Sequence, residues 1–210
     1  MSLGGGCKKG KAQTECNWCG RVMEQKFYDA MADCPVIAAV KNFEGVRACL
    51  KSELKIVFVL FGNICNISGI VDQIKGAGKI ALVHIDLVEG LSAHEVSVDY
   101  IRKNTKADGI ISTRMNMINR ARELSMYTVF RIFILDSRAF QGIEKQKRQV
   151  KADFIEILPG VMPKIIQKVN KLSAQAVIAG GLINDKEDVI EALNAGAISV
   201  STTNQDIWFM

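Results

Sequence analysis

Eight short, nearly uninterrupted apolar runs constrain this chain more than any other feature. They are Pro35–Val40, Ile56–Phe61, Ile80–Ile85, Gly109–Ser112, Tyr127–Leu135, Phe154–Leu158, Ala176–Ala179 and Ile198–Ser201, and they begin roughly every 18–30 residues. A strand with one wet face alternates apolar and polar residues. A strand covered on both faces does not, and that is the condition of a parallel strand flanked by helices. The stretches between the runs are amphipathic. Eight strand-then-helix units predict an α/β fold, a single TIM-like (β/α)8 barrel near the lower size limit of that architecture. A doubly wound open sheet is the alternative; no Gly-x-Gly-x-x-Gly follows the first run, which favours the barrel.

The intervening stretches carry helix signals. Ser92 and Glu95 have the spacing of a capping box, in which each side chain accepts from the other residue's amide. Asn184 and Glu187 offer a similar arrangement. The helix that follows would set Val189, Ile190 and Leu193 on one stripe and end at Ala195-Gly196. After Gly160 the stripe is Ile165, Ile166, Val169 and Leu172. The last helix is truncated, because only Asn204 to Met210 follow the eighth run. Trp208 and Phe209 are expected to plug the outer wall there or to meet a partner.

The chain has 210 residues, 49% hydrophobic and 23% charged. That is the size and composition of one soluble core. No apolar run approaches the roughly 18–20 residues that span a bilayer, and the basic start lacks the apolar segment of a secretory signal. A cytoplasmic protein without membrane contact is expected. Residues 1–30 read as an N-terminal extension, flexible or vector-derived, beginning Met1-Ser2-Leu3 and three glycines; residues 31–210 read as the barrel, with Met23 close to a natural start. Cys7, Cys16 and Cys19 fall in the extension. Cys16-Asn17-Trp18-Cys19 is half of a zinc site, but the two histidines, His84 and His94, are distant in sequence, so neither metal nor cofactor is expected. The six cysteines are expected as thiols, with Cys49 and Cys65 as small core residues. The formal charge of +5 is concentrated at the start: Lys8, Lys9, Lys11 and Arg21 against Glu15 leave only +2 on the residues after 22.

In this architecture the strand exits build the site. Lys41 ends the first run, and His84-Ile85-Asp86 the third. Ser112-Thr113-Arg114 ends the fourth. Arg131 lies in the fifth, which exits at Asp136-Ser137, and Glu156 lies in the sixth. The seventh exits at Gly180-Gly181 and the eighth at Ser201-Thr202-Thr203-Asn204. Glycines let backbone amides approach a phosphate, and loops seven and eight are the usual phosphate site of the fold. Lys41, Arg114 and Arg131 supply cations; Asp86, Asp136 and Glu156 oppose them. Arg131 with Glu156 is equally a structural ion pair between neighbouring strands. Asp86 suits a ligand hydroxyl, and His84 fits either the core or a ligand contact.

These exits resemble a known family. Val83 to Gly90, Gly109 to Arg114, Arg131 to Ser137, Asp153 to Gly160, Ala179-Gly180-Gly181 and the stretch from Glu187 to Trp208 are similar, in order and spacing, to the glycerol uptake operon antiterminators. The resemblance covers about Pro35 to Trp208 and leaves out residues 1–22. It implies a regulator, not an enzyme, that binds glycerol 3-phosphate and an mRNA leader and prevents premature termination in glycerol-utilisation genes. Carried over by position, Gly180, Gly181, Ser201, Thr202, Thr203 and Asn204 would hold the phosphate end, and Lys41, Asp86, Arg114, Arg131 and Glu156 would line the rest. Arg138, Lys145, Lys147, Arg148 and Lys151 form a basic run on the fifth helix, the one after the fifth strand, that either contacts RNA or is a solvated face. The small charge of the body leaves assembly of an RNA face from a homodimer open. The rival readings are an enzyme of the same fold, of prenyltransferase or aldolase type, acting on a phosphorylated triol, and a protein-binding module with a vestigial phosphate pocket. An aldolase forming a Schiff base needs a desolvated lysine, for which Lys41 is the strand-exit candidate.

Overall fold

Each apolar run becomes one strand of a closed barrel in the structure, a computed structural model that describes residues 22–146 and 151–210. Helix α1 (Val22–Asp33) precedes β1 (Val36–Val40). Then follow α2 (Phe43–Lys51), β2 (Ile56–Val59), α3 (Ile67–Gly76), β3 (Ile80–His84), a 3-10 turn (Ile85–Leu87), α4 (Val96–Asn104) and β4 (Gly109–Ser112). The second half holds α5 (Met115–Glu123), β5 (Tyr127–Phe133), α6 (Ser137–Gln146), β6 (Phe154–Leu158), α7 (Pro163–Leu172), β7 (Ala176–Gly180), α8 (Lys186–Asn194), β8 (Ser199–Thr202) and the single turn α9 (Gln205–Trp208). Every neighbouring pair is parallel, and β8 closes on β1 through Val36↔Val200 and Ile37↔Ser201. No helix of the described residues is long and apolar enough to cross a membrane.

Strand pleating sorts each run into two sets. One set faces the helices. Val57, Val59, Ala81, Val83 and Ile110 pack with α2 to α5, and Ile155, Ile157, Val177, Ala179 and Val200 pack with α7 and α8. The other set fills the barrel: Ile37, Ala39, Ile56, Phe58, Ile80, Leu82, Ile111, Tyr127, Val129, Phe154 and Ile178. Continuing the inward parity toward the exits reaches His84, Arg131, Glu156 and Ser201, the polar layer of the mouth.

The opposite mouth is closed by α1. Phe27 is fully buried and stacks on Phe154 with ring centroids 4.8 Å apart; Tyr127 lies 5.0 Å away. Ala30 and Met31 are buried with it. The boundary expected after residue 30 therefore falls inside a helix that belongs to the core, while Cys7, Cys16 and Cys19 lie outside the described residues.

Several local expectations are corrected. Ser92 and Glu95 do not form a capping box: α4 begins at Val96, no side chain caps it, and Ser97 Oγ donates to the Ser92 carbonyl at 2.8 Å. Burial of Val98 and Ile101 sets where that helix docks, and its start follows. The box before α8 forms one residue later than read, with Asp185 accepting from the Asp188 amide and Asp188 accepting from the Asn184 amide. Ile190 is exposed, and Val189 and Ala192 make the buried stripe. Cys49 is buried, and burial pushes its thiol up to about 11, but Cys65 is exposed on the loop after β2. Trp208 is buried on the outer wall, its Nε1 donating to the Thr202 carbonyl at 3.0 Å, whereas Phe209 is exposed.

Truncating the plug tests its weight. Phe27→Ala removes a fully buried ring from an aromatic stack and is expected to cost about 3–5 kcal/mol. Urea denaturation of the variant and the wild type gives the difference directly.

Candidate functional site

Arg131 and Glu156 face each other across β5 and β6 as register partners. Both are buried, and Arg131 Nε donates to Glu156 Oε2 at 2.6 Å. A buried carboxylate needs more than one partner. Ser201 Oγ supplies the second, donating to Glu156 Oε1 at 2.5 Å from β8. That bond passes over β7, and only glycine leaves it room: a Cβ on Gly180 would lie 2.5 Å from Glu156 Oε1 and 2.6 Å from Ser201 Oγ. Arg131 is held by Nε alone. Its terminal Nη1 and Nη2 make no hydrogen bond among the described residues, so the fork end of the guanidinium is free at the mouth.

The exits of β7 and β8 join in one turn. Gly181 has φ 76°, and Leu182 follows at φ 62°, an uncommon conformation for a leucine. Such strain, of order 1–3 kcal/mol, gathers at functional sites. The Gly181 carbonyl accepts from the Gly160 amide, after the cis Leu158-Pro159 bond. The Gly181 and Thr203 amides have no hydrogen bond among the described residues. The Asn204 amide, expected to face a ligand, donates instead to Thr202 Oγ1. The Thr202 hydroxyl donates to the Ile183 carbonyl at 2.8 Å, and Asn204 Nδ2 donates to the Asn184 carbonyl at 2.7 Å. Thr202 and Asn204 therefore tie the two loops together, and Thr203 is the exposed residue between them.

Asp86 organises the other side of the mouth. Its carboxylate accepts from Ser112 Oγ, the Thr113 amide at 2.7 Å, Thr113 Oγ1 and Arg114 Nη1 at 3.3 Å. A carboxylate has about four acceptor positions, so this one holds the β4 exit with little capacity left for a ligand hydroxyl. Ser112 and Thr113 were visible in the sequence only as neighbours of Arg114; nothing in their spacing announced that they serve Asp86. Lys41 is exposed at the β1 exit. Asp136 accepts from the Ala139 amide at the start of α6 rather than balancing the mouth's cations.

His84 lies at the end of β3, 3% exposed, and its Nδ1 has no hydrogen-bond partner. Burial pushes it down to about 4, helped by the charge of Arg131 and opposed by Asp86. The ring is neutral at neutral pH.

Of the basic run, Arg138 is exposed on α6 and Lys151 is exposed before β6. Lys147 and Arg148 lie outside the described residues; Lys145 falls in α6. A cavity of about 750 Å³ lies at the opposite end of the barrel, lined by Asp29, Asp33, Glu53, Lys55 and Lys79 among others. Lys79 Nζ donates there to the Ser52 and Leu54 carbonyls, and Lys55 pairs with Asp33. Three carboxylates and two engaged lysines make that cavity a poor anion site.

Residues 36–208 match the family model described as glycerol-3-phosphate responsive antiterminator. An Escherichia coli (strain K12) relative called uncharacterized protein YgcP is 48% identical over 174 residues, covering 83% of this chain and 91% of the relative. A glycerol uptake operon antiterminator regulatory protein from Listeria monocytogenes superposes with a TM-score of 0.81 at 34% identity, over 84% of this chain and 95% of that one. A glycerol uptake operon antiterminator-related protein from Thermotoga maritima gives 0.74 at 30% identity, over 83% and 98%. Deoxyribose phosphate aldolase from Aeropyrum pernix, at 14% identity and a TM-score of 0.66, shares the fold.

The depressed histidine gives a signed expectation. Unfolded His84 takes a proton below about pH 6.5, and folded His84 only near 4, so its contribution is present above that window and is lost as pH falls through it. The wild type is expected to lose stability between pH 6.5 and 4 more steeply than His84→Gln. Parallel denaturation curves across that range measure the difference.

Proposed function

The chain belongs to the glycerol-3-phosphate responsive antiterminator family, and on that premise we propose that it binds glycerol 3-phosphate at the mouth of its barrel and, when loaded, an mRNA leader. In that reading it is a cytoplasmic regulator of glycerol-utilisation genes that prevents premature termination. The observation that carries the ligand half is the free fork of Arg131. A buried guanidinium fixed through Nε, with both terminal nitrogens uncommitted, is complementary to a bidentate anion. At the same mouth, on the exits of β7 and β8, the Gly181 and Thr203 amides offer neutral donors of the kind that receive phosphate oxygens. Gly180 belongs to the same cradle through the room it leaves. Ser201, Thr202 and Asn204 hold its shape, while Lys41 and Arg114 add long-range attraction from the rim.

Regulation rather than catalysis is supported by what the candidate reactive groups are doing. The strand-exit lysine, Lys41, is exposed, and the buried Lys79 is at the other end of the barrel, bound to carbonyls. Neither is the desolvated amine that a Schiff base requires. Asp86 and Glu156, the two candidate bases, are each engaged by two or more donors.

Two measurements test the reading. Arg131→Lys keeps the charge but loses the fork, and is expected to weaken glycerol 3-phosphate binding by about 10–100-fold by calorimetry. Gly181→Val puts a β-branched residue at φ 76° and is expected to weaken binding as well. Unchanged affinity in both variants removes the ligand from this mouth. For RNA, coupling is reciprocal: the leader is expected to tighten ligand binding by the factor with which ligand tightens leader binding. Affinity for the leader should fall with salt, and changing Lys145, Lys147 and Arg148 together to Ala should flatten that slope by about 0.7 for each RNA phosphate no longer neutralised. Identical slopes take the basic run out of the RNA face; no leader binding under any condition favours the enzyme reading.

A further inference from the structure

Two buried side-chain nitrogens among the described residues lack a hydrogen-bond partner, His84 Nδ1 and Arg122 Nε. Arg122 is on α5, in the outer layer of helices. His84 is in the inward-facing series of β3, directly above Leu82, at the level where the strands open into the mouth. Buried polar atoms in folded proteins are almost always paired, so an orphan nitrogen in the inward-facing series at the strand exits points to a ligand atom.

Position supplies the second part of the argument. In the closed order β1 to β8, β3 is four strands from β7, on the far side of the ring. In this architecture a small ligand lies across the mouth formed by the strand exits, above the filled barrel. A ligand whose phosphate rests on the β7–β8 turn and the Arg131 fork therefore extends its other end toward β3. The group there must suit its surroundings. The nearby charges are Arg131 and Asp86, and Asp86 is already saturated by Ser112, Thr113 and Arg114. A neutral imidazole carries one donor and one acceptor nitrogen, which matches a hydroxyl, itself both donor and acceptor.

We propose that His84 is the specificity-determining residue of the mouth, its Nδ1 hydrogen-bonding a hydroxyl of a short polyol monophosphate at the end opposite the phosphate. The proposal rests on the anion site proposed above and adds what that site selects. It makes His84 a reader of hydroxylation, while Arg131 and the glycine turn read the phosphate. A hydroxyl-free analogue would leave Nδ1 as unpartnered as it is in the structure, and a site built to pair a hydroxyl discriminates against the analogue lacking it.

The test compares glycerol 3-phosphate with 3-hydroxypropyl phosphate, 1,2-propanediol 1-phosphate and propyl phosphate, on the wild type, His84→Phe and His84→Gln. The wild type is expected to prefer glycerol 3-phosphate over propyl phosphate by about tenfold or more, and one of the two single-hydroxyl analogues should retain most of that preference. His84→Phe should bring the preference close to onefold while holding propyl phosphate affinity within about threefold; His84→Gln should recover part of it. Because a ring exchange at a buried position can perturb folding, the wild type is also followed by long-range nitrogen-15 NMR. The His84 Nδ1 resonance should move on addition of glycerol 3-phosphate and stay in place with propyl phosphate. A preference unchanged in a folded His84→Phe, or an Nδ1 signal indifferent to the hydroxyl, overturns the role of His84 while leaving the phosphate site standing. A wild type that binds all four compounds equally does the same. A wild type that binds none of them overturns the phosphate site and the role of His84 together.

Discussion

A carboxylate at 0% exposure inside a barrel is the constraint on which the site depends. Glu156 cannot be ionised there without partners, because transfer of a charge into the interior costs several kcal/mol unless pairing offsets it. Its partners come from both sides: Arg131 on β5 and Ser201 on β8. The second bond fixes a strand that carries neither group, since β7 can lie beneath it only with glycine at position 180. One buried charge thus determines a cation, a hydroxyl and a missing side chain on three other strands. The same network explains the geometry of Arg131. With Nε committed to Glu156, the side chain is fixed near its middle, and its far end is presented in one orientation rather than many. Little conformational entropy is left to lose when an anion arrives.

The two ends of the barrel divide the labour. At the strand starts, Phe27 stacks on Phe154 and plugs the barrel with a buried ring. At the exits the inward positions turn polar: His84, Arg131 and Glu156 succeed Leu82, Val129 and Phe154, and Ser201 follows Ser199 on β8. On β3, β5 and β6 the change occurs within two residues, because pleating brings every second residue inward. The apolar layers below hold the polar layer at a fixed height, and the helices packed on Val83, Ile157 and Ala179 hold it from outside.

The strands were legible because parallel strands covered on both faces leave short continuous apolar runs, and here each run is too short for a helix and is followed by an amphipathic stretch. The exits were legible for the same reason, since the first polar residue after each run marks the mouth. Arg131 and Glu156 could be paired from their strands alone. The purpose of Gly180 was not legible: the sequence suggested backbone access to a phosphate, whereas the tight contact is with Glu156 and Ser201, residues 24 and 21 positions away. Asp86 was misjudged as open to a ligand because its donors lie on the next strand, and spacing carries no record of them. Helix α1 was hidden behind the glycine- and cysteine-rich start, which drew residues 22–30 into an apparent extension although Phe27 belongs to the core. Cys65 sits among apolar neighbours in sequence but on a loop in space, where sequence neighbours do not share a face.

A sensor has one further requirement: the ligand must favour one of two states, since equal affinity for both shifts nothing. On the proposed reading, the group that meets the phosphate and the helix that bears the basic run are consecutive in the chain. Arg131 lies five residues before Asp136, whose carboxylate accepts from Ala139 in the first turn of α6, and Arg138 is exposed in that same turn. The connection is short: the Ile134 amide donates to the Leu158 carbonyl at 2.8 Å, holding the end of β5 to the end of β6 just before the helix begins. An anion on the Arg131 fork competes electrostatically with Glu156 for the same guanidinium, and the balance between them bears on β5 and β6 together. The β7–β8 turn receives the same ligand but leads into α8 and the single turn α9, through Asn204 and Trp208. The β5 side leads from the Arg131 fork to the exposed Arg138 and the basic run, which makes β5–α6 the segment whose two arrangements a ligand would have to distinguish.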